Sequence, residues 1–334
     1  MNIAQQPASF GNHSYGKNNS ALWIPVALMS SPFKDTAGQH AHAPLDSTAN
    51  KKRRCFAVML LQPRFDRIGY WSQLKLDIIR EYAAAYSRIL AARRNPSFHH
   101  VYIEGFAGMG VHLSQANEGF ILGSPLNALN VRPPFRAYHL IDIRAERIEY
   151  LRKLVGPRDD VFLYRGDCNK ILLDEVFPQV KYKKYQRALC ILDPYGLNLN
   201  WKVILTAGQM KAVDILLNFP VMGINRNVLR RDPEGVGNSL KAKMDVLWGD
   251  NSWPRTAYGS DLFGNPDKQS NEIIAEAFQT RLREVAGFAR VPKPIPMRNS
   301  KGAIVYYLFF ASQKDIAEHI ILDIFKKYKD RGAN

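Results

Sequence analysis

The sequence has few cysteines and no long apolar run. Its three cysteines, Cys55, Cys168 and Cys190, are widely separated and form no Cys-x-x-Cys pair. That spacing argues against a zinc site and against a framework of disulfide bonds. The longest apolar runs, at residues 21–29 and 55–61, are much shorter than the roughly 20 residues that cross a bilayer. We therefore expect a cytoplasmic protein that has no membrane partner and binds no metal ion.

Acidic residues are outnumbered by basic ones. The chain has 46 lysines and arginines against 30 aspartates and glutamates, which gives a net charge of +16. An excess of this size attracts phosphate-bearing partners and carries no information about the fold. Because the positive charge is spread along the chain, two interpretations stay open: a nucleic-acid or nucleotide partner, and a basic surface without a specific partner.

Residues 1–64 lack the periodic apolar pattern of a helix or a strand and are rich in Asn, Ser, Gly, Gln, His and Ala. A segment of this composition buries too little apolar surface to offset the entropy lost on ordering, so we predict a flexible N-terminal extension. Near its end lies the basic run Lys51-Lys52-Arg53-Arg54, which is either a solvated linker or a nucleic-acid contact.

From residue 65 onward, helical and strand-like patterns alternate. Apolar residues at helical spacing predict a long amphipathic helix over residues 71–89, and a second one closes the chain at 316–328. Between them lie continuous apolar runs at residues 101–103, 139–141, 161–164, 189–192, 213–219 and 304–311. Such runs are typical of parallel strands buried on both faces. The pattern predicts an α/β domain over residues 65–334, with a Rossmann-like, mostly parallel sheet and helices on both faces.

Two stretches depart from that alternation. Turn-forming residues at 299–302 precede the last predicted strand and predict an antiparallel hairpin at the sheet edge, which supplies an antiparallel edge strand. Residues 221–296 lose the pattern, and we predict an α-helical cap insertion over the site with a helix at 272–285; a scaffolding role is the alternative. Within this insertion, Arg226 and Asn227 are candidate substrate contacts.

The first predicted strand runs directly into a glycine-rich turn. Its candidate cofactor-binding residues are Glu104, Gly105, Phe106, Gly108 and Gly110. Glycines let the backbone turn tightly and approach a ligand, as in the nucleotide cradle of doubly wound sheets. The dinucleotide fingerprint Gly-x-Gly-x-x-Gly is absent, which argues against a bound pyrophosphate. The carboxylate of Glu104 instead suits a positively charged amino group and a sulfonium, which predicts S-adenosylmethionine as the cofactor.

Two aspartates follow the next two predicted strands. Asp142 is expected to bind ribose hydroxyls, although it lies further from the glycine turn than the usual distance of roughly 20 residues. Ser124 and Pro125 form a good helix start at the ordinary distance, so residues 112–123 are predicted as an inserted loop that can act as a lid. Asp167 is expected to accept a hydrogen bond from an adenine amino group. The alternatives are a surface turn residue for Asp142 and a helix cap for Asp167.

Polar and aromatic residues also follow the fourth and fifth predicted strands. Asp193-Pro194-Tyr195 resembles the Asp/Asn-Pro-Pro-Tyr signature of enzymes that methylate amino groups of DNA, with one proline instead of two. In those enzymes the target base is flipped out and stacked. Asp-Pro before Gly196 is also simply a good turn. Asn218 ends the next strand and faces the same crevice. We take Asp193, Tyr195 and Asn218 as the candidate catalytic residues.

In this order, the segments resemble the bacterial three-Cys-motif partner protein family over residues 65–330. The resemblance is carried by Ile-Gly-Tyr-Trp-Ser at 68–72 with Lys-Leu at 75–76, the turn at 104–110, Gly-Ser-Pro-Leu-Asn-Ala-Leu at 123–129, Gly-Asp-Cys-Asn at 166–169, Leu-Asp-Pro-Tyr-Gly at 192–196, and the segments 218–222, 225–229 and 306–312. The cysteines of the name belong to a partner protein. The resemblance implies a class I methyltransferase-like fold and a physical or genetic partner of the radical-SAM type.

Two functions stay open at this point. The first is the transfer of a methyl group from S-adenosylmethionine to an unidentified polar acceptor, either a nucleic-acid base or a partner protein. The second is that of a non-catalytic adaptor, which keeps the fold and uses its basic surface to bind the radical-SAM-type partner or nucleic acid.

Overall fold

The structure is a computed structural model that describes residues 65–94, 96–116, 119–230, 235–260, 266–299 and 301–329. The predicted flexible extension, residues 1–64, lies outside this range. The helices are α1 (Tyr70–Ala91), α2 (Ser124–Leu129), α3 (Ala145–Val155), α4 (Cys168–Ile171), α5 (Trp201–Met210), α6 (Val221–Asn227), α7 (Asn238–Trp248), α8 (Trp253–Ala257), α9 (Asn271–Glu284) and α10 (Asp315–Lys329). In the part of the chain described, none of the helices has both the length and the apolar character needed to cross a membrane.

The strands form one large sheet and two small ones. They are β1 (Arg67–Ile68), β2 (His99–Gly105), β3 (Val111–Ser114), β4 (Phe120–Leu122), β5 (Ala137–Asp142), β6 (Val161–Arg165), β7 (Gln186–Leu192), β8 (Val213–Phe219), β9 (Tyr258–Ser260), β10 (Pro266–Lys268), β11 (Ile295–Arg298) and β12 (Ile304–Ala311). The large sheet has seven strands in the order β11-β12-β8-β7-β2-β5-β6.

Most of the large sheet is parallel. Strands β8, β7, β2, β5 and β6 pair in parallel, whereas β12 is antiparallel to both of its neighbours. The prediction of an α/β fold with a large, mostly parallel sheet is confirmed. The predicted antiparallel hairpin at the sheet edge forms between β11 and β12, with β11 as the edge strand. Strand β12 lies inside the sheet, and its residues 306–311 are all buried.

The central strands of the large sheet contribute to two cores because successive side chains point to opposite faces of the sheet. On β7, Leu189 and Ile191 belong to the core that contains residues of α1, α2 and α10. Cys190 and Leu192 belong to the opposite core, which contains residues of α5, α7 and α9. Since both faces are covered, the strands read in the sequence as continuous apolar runs.

The region predicted as a cap insertion, residues 221–296, contains α6 to α9 and the β9–β10 hairpin. Helix α9 packs on the sheet rather than over its end. Its Phe278 is fully buried. The Phe278 ring lies 4.5–5.8 Å, between centroids, from the rings of Trp201, Phe219, Trp248 and Phe309. For α9, the scaffolding role that the sequence left open therefore applies.

Residues 112–123, predicted as an inserted loop, contribute to a small second sheet. Strands β3 and β4 pair as an antiparallel hairpin, and β1 adds to β3 in parallel. Phe65, just before β1, packs edge to face against Phe120 of β4, with ring centroids 5.1 Å apart. The hairpin is thereby attached to the segment that leads into α1.

The role of α9 in the core can be tested with two variants of the same helix. We expect Phe278→Ala to lower the free energy of unfolding by about 3–5 kcal/mol, because it empties a site lined by four aromatic rings. Ile273, on the same helix, is 42% exposed, and Ile273→Ala should cost less than about 1 kcal/mol. Chemical denaturation of the two variants measures the difference. Equal losses would contradict the assignment of α9 to the core.

Candidate functional site

A cleft opens at the carboxyl ends of the central parallel strands. Its volume is about 410 Å³, and the chemistry-bearing residues that line it include Lys75, Glu104, His112, Asp193, Tyr195 and Asn218. Strands β2 and β7 are adjacent, and the chain leaves them towards opposite halves of the sheet. In open α/β sheets, ligands bind at such a switch point, outside the carboxyl ends of the strands. The volume is within the usual range for small-ligand pockets.

The glycine turn after β2 passes through backbone conformations with positive φ angles, which glycine adopts most easily. Phe106, Gly108 and Gly110 have φ angles of 67°, 67° and 82°. A Cβ atom on Gly105 would lie 2.4 Å from the Sγ atom of Cys168, whereas a Cβ on Gly108 would meet nothing within 4 Å. Gly105 is thus required by packing, and Gly108 leaves open space at the cleft.

Glu104 is a buried carboxyl group at the floor of the cleft. It accepts hydrogen bonds from the hydroxyls of Tyr102, at 2.8 Å, and Ser124, at 2.5 Å. Burial raises the pKa of Glu104 to about 8, because the loss of hydration outweighs these two hydrogen bonds, which favour the charged form. A cationic group of a ligand placed beside Glu104 would favour the ionised carboxylate and release the proton.

Asp193 is held by two neighbours. Its carboxylate forms an ion pair with the ammonium of Lys75 and accepts a hydrogen bond of 2.5 Å from the side-chain amide of Asn218. Burial tends to raise the pKa of Asp193, but the charge of Lys75 and the hydrogen bonds from both neighbours outweigh it and bring the pKa below its ordinary value. Asp193 is therefore ionised at neutral pH, and the Oδ1 atom of Asn218 is buried without a hydrogen-bond partner.

Tyr195 lies at the mouth of the cleft, and its side chain is 55% exposed. The guanidinium of Arg147 lies 5.5 Å from the centre of the Tyr195 ring and donates to its hydroxyl at 3.3 Å. The same guanidinium forms an ion pair with Asp66 at 2.8 Å. The ring is fixed at its hydroxyl end, and much of its surface remains available for stacking against a planar group.

The two aspartates predicted to bind ribose and adenine accept hydrogen bonds from backbone N–H groups of the chain. Asp142 is buried and accepts hydrogen bonds from the backbone N–H groups of Gly108 and Arg144, both at 2.9 Å. It therefore fixes the glycine turn from behind. Asp167 is exposed and accepts from the backbone N–H of Asn169, also at 2.9 Å, as the N-cap of α4. Neither is among the residues that line the cleft.

The two predicted substrate contacts lie on α6, outside the cleft lining. Both are exposed and make contacts within their own helix. Arg226 lies 3.7 Å from the Sδ atom of Met222, and the amide of Asn227 donates to the carbonyl of Gly223 at 2.8 Å. The structure brings together Glu104, Asp193, Tyr195 and Asn218, but it does not bring Arg226 and Asn227 to them.

Lys75 and His112 line the cleft and were missed by the sequence analysis. The Nδ1 atom of His112 is buried without a hydrogen-bond partner. Burial, aided by the charge of Lys75, lowers the pKa of His112, so its imidazole is neutral at pH 7. No local pattern links these residues to Asp193, because Lys75 lies 118 positions before it and His112 belongs to the hairpin that was predicted as a loop.

No family model and no curated protein matches the chain. Among solved structures, a protein from Legionella pneumophila described by the family model DUF519 is similar, with a TM-score of 0.43 and 13% sequence identity over 77% of this chain and 93% of that chain. A likeness at this level does not assign a function.

The raised pKa of Glu104 makes stability depend on pH. Between its ordinary value of 4.5 and about 8, the folded protein keeps a proton on Glu104 that the unfolded chain releases. The free energy of unfolding should therefore fall as the pH rises through this range, by on the order of 2–4 kcal/mol. Glu104→Gln, which stays neutral, should remove this decline.

Denaturation of parent and variants at several pH values within that range measures the effect. Glu149 is a suitable control, because its side chain is 63% exposed, and Glu149→Gln should follow the parent at every pH. A constant difference in stability between the parent and Glu104→Gln would show that Glu104 is ionised in the folded protein throughout.

Proposed function

We propose that this protein is a methyltransferase that transfers a methyl group from S-adenosylmethionine to a polar nitrogen acceptor, on a nucleic-acid base or a partner protein. The observation that carries the proposal is the meeting of three features in one cleft: the glycine turn, the buried carboxyl of Glu104 and the ionised carboxylate of Asp193. They come from separate segments of the chain and converge at the carboxyl ends of adjacent parallel strands.

The strand order supports the proposal. If the five parallel central strands are numbered along the chain, their order in the sheet is 3-2-1-4-5, which is that of doubly wound nucleotide-binding folds. Beyond the fifth strand, the antiparallel β12 lies between β8 and β11. In a dinucleotide-binding sheet of the order 3-2-1-4-5-6 the sixth strand lies directly beside the fifth, whereas here β12, the last of the described strands, lies there.

The residues present fit the cofactor. S-adenosylmethionine would supply an electrophilic methyl group on a sulfonium centre. Glu104 is a buried carboxyl whose hydrogen-bond partners are neutral hydroxyls. It would hold the charged amino group of the methionine end. Gly108 leaves open space for a close approach of the ligand to the backbone. Asp142 would act by fixing the turn, and the contacts of Asp142 with ribose and of Asp167 with adenine stay predictions.

The acceptor side of the cleft would orient an amino group. Asp193 is ionised, so it would accept a hydrogen bond from the acceptor N–H and direct the nitrogen lone pair at the methyl carbon. The exposed ring of Tyr195 would stack on a flat acceptor. In the reaction the nitrogen–carbon bond would form as the methyl carbon–sulfur bond breaks, and S-adenosylhomocysteine would leave. The neutral His112 in the cleft would accept the proton that the nitrogen loses.

One observation favours the adaptor as a second candidate. Asp193 and Tyr195 are already engaged by Lys75 and Arg147, so both candidate catalytic side chains have internal partners. In an adaptor these contacts would only stabilise the fold, and the basic surface would bind the radical-SAM-type partner. Cofactor binding alone does not separate the two functions, whereas methyl transfer does.

Cofactor binding should be coupled to proton release. At pH 7 the Glu104 carboxyl is largely protonated, so an amino group bound beside it should release nearly one proton. Calorimetric titration with S-adenosylhomocysteine, in two buffers of different ionisation enthalpy, measures this number. Glu104→Gln should weaken binding roughly 10- to 100-fold and abolish the release. Absence of S-adenosylhomocysteine binding to the folded parent would contradict the proposal.

Methyl transfer should depend on Asp193 but cofactor binding should not. Asp193→Asn should slow transfer from labelled S-adenosylmethionine to RNA, DNA or protein fractions by about 100-fold or more, with unchanged affinity for S-adenosylhomocysteine. Asp323→Asn, on the exposed face of α10, is the matched control and should keep full activity. Binding without transfer in the parent itself would favour the adaptor.

A further inference from the structure

The amino ends of β2 and β7, opposite the cleft, carry a basic and aromatic surface. Residues 181–187, together with Phe98, form what we call the basic platform. Its three lysines, Lys181, Lys183 and Lys184, are exposed. Between and beside them, Tyr182 and Tyr185 are 43% and 47% exposed. Cations and accessible rings thus alternate over a short stretch of chain.

The platform is held in one conformation by its own hydrogen bonds. The backbone N–H of Lys181 donates to the side chain of Gln186 at 2.7 Å. The carbonyl of Tyr185 accepts from the N–H of His99 at 3.1 Å, which anchors the segment to β2. Tyr185 has a φ angle of 58°, in the left-handed region that a tyrosine seldom adopts. Tyr185 therefore occupies a turn position that glycine would fit more easily, and its ring is exposed there.

The aromatic rings are organised around one arginine. The guanidinium of Arg187 lies 4.0 Å from the centre of the Tyr182 ring and 4.9 Å from that of Phe98. It also donates to the carbonyl of Tyr182 at 3.2 Å. Phe98 packs edge to face on Tyr185, with centroids 5.9 Å apart. Three rings and a fixed cation therefore form a single rigid group.

The lysines of the platform have no carboxylate partner among the described residues. The ion pairs found there involve other lysines and arginines. The charge of Lys181, Lys183 and Lys184 is therefore available to an anionic partner. A run of unpaired cations interleaved with accessible rings is the combination that binds single strands of nucleic acid, in which phosphates contact the cations and bases stack on the rings.

We infer that the basic platform binds single-stranded nucleic acid, with phosphates at the lysines and a base stacked on Tyr185. This binding is independent of methyl transfer, because the platform lies at the end of the sheet opposite the cleft. A membrane surface is disfavoured by the side chains present: Phe98 packs on Tyr185, Arg187 lies over Phe98 and Tyr182, and residues 181–187 include no aliphatic side chain to enter a bilayer.

The test is fluorescence anisotropy with labelled oligonucleotides of about 12 nucleotides, a length within the usual site sizes. Oligo(dT) and oligo(rU) are compared with each other and with a duplex of the same length. We expect both single strands to bind more tightly than the duplex. Lys183→Ala with Lys184→Ala should make the slope of log K against log salt shallower by about 1.4.

A second variant removes the ring alone. Tyr185→Gly deletes the stacking surface and relieves the positive φ angle, so the fold should be retained while binding weakens about tenfold. Tyr185→Phe keeps a ring and should bind like the parent. Lys241→Ala with Lys243→Ala on α7 removes the same net charge elsewhere and should leave affinity and salt slope nearly unchanged.

Each contrary outcome overturns the inference. Equal losses in the two double-lysine variants would show attraction by net charge alone. Unchanged affinity in Tyr185→Gly would show that no base stacks there. Binding of the parent to phosphatidylserine vesicles but to no oligonucleotide would assign the platform to a membrane. In all variants, unchanged affinity for S-adenosylhomocysteine keeps this result separate from the fate of the proposed methyltransferase.

Discussion

The ion pair between Lys75 and Asp193 is the contact on which the geometry of the cleft depends. The Lys75 side chain is 11% exposed, and an ammonium with so little access to water is tolerated only beside an opposite charge. Helix α1 therefore cannot slide along the sheet without a large electrostatic cost. Because Asp193 also accepts from Asn218, one ammonium fixes the helix and the ends of two adjacent strands.

The same ammonium makes the two carboxyl groups of the cleft unequal. Lys75 contacts Asp193 directly and keeps it ionised, whereas Glu104 is bound only by neutral hydroxyls and tends to keep its proton. A cleft with one fixed anion and one group ready to become an anion can receive a cationic ligand at one side and a neutral hydrogen-bond donor at the other. The difference in protonation between Asp193 and Glu104 comes from the placement of a single side chain, that of Lys75.

Much of the architecture could be predicted from the sequence, for a physical reason. Strands such as 189–192 and 213–219 are covered on both faces, so each is a continuous apolar run that stands out from its surroundings. The position of β12 could not be predicted in the same way. An apolar run shows that a strand is interior, but it does not show between which neighbours the strand lies.

Of the candidate site, the residues at or just after the carboxyl ends of strands could be predicted, since the carboxyl ends of parallel strands meet at one edge. Glu104, Asp193 and Asn218 are of this kind. Lys75 and His112 could not be predicted, because they reach the cleft from a helix and from a hairpin of the small sheet, and only the folded chain brings them there. Asp142 lies at the end of a strand, β5, as predicted, but its contact with the N–H of Gly108 could not be foreseen from spacing.

The interior position of β12 has a consequence for the synthesis of the chain. β8 ends at Phe219, and the strand that covers its free side begins at Ile304. The ribosome must add about 85 residues in between, which takes about 4–17 seconds at roughly 5–20 residues per second. Throughout that interval one side of an apolar strand has unpaired N–H and C=O groups, and such an edge pairs readily with other chains. The translation of this segment is thus the interval in which the free edge of β8 exposes the nascent chain to aggregation.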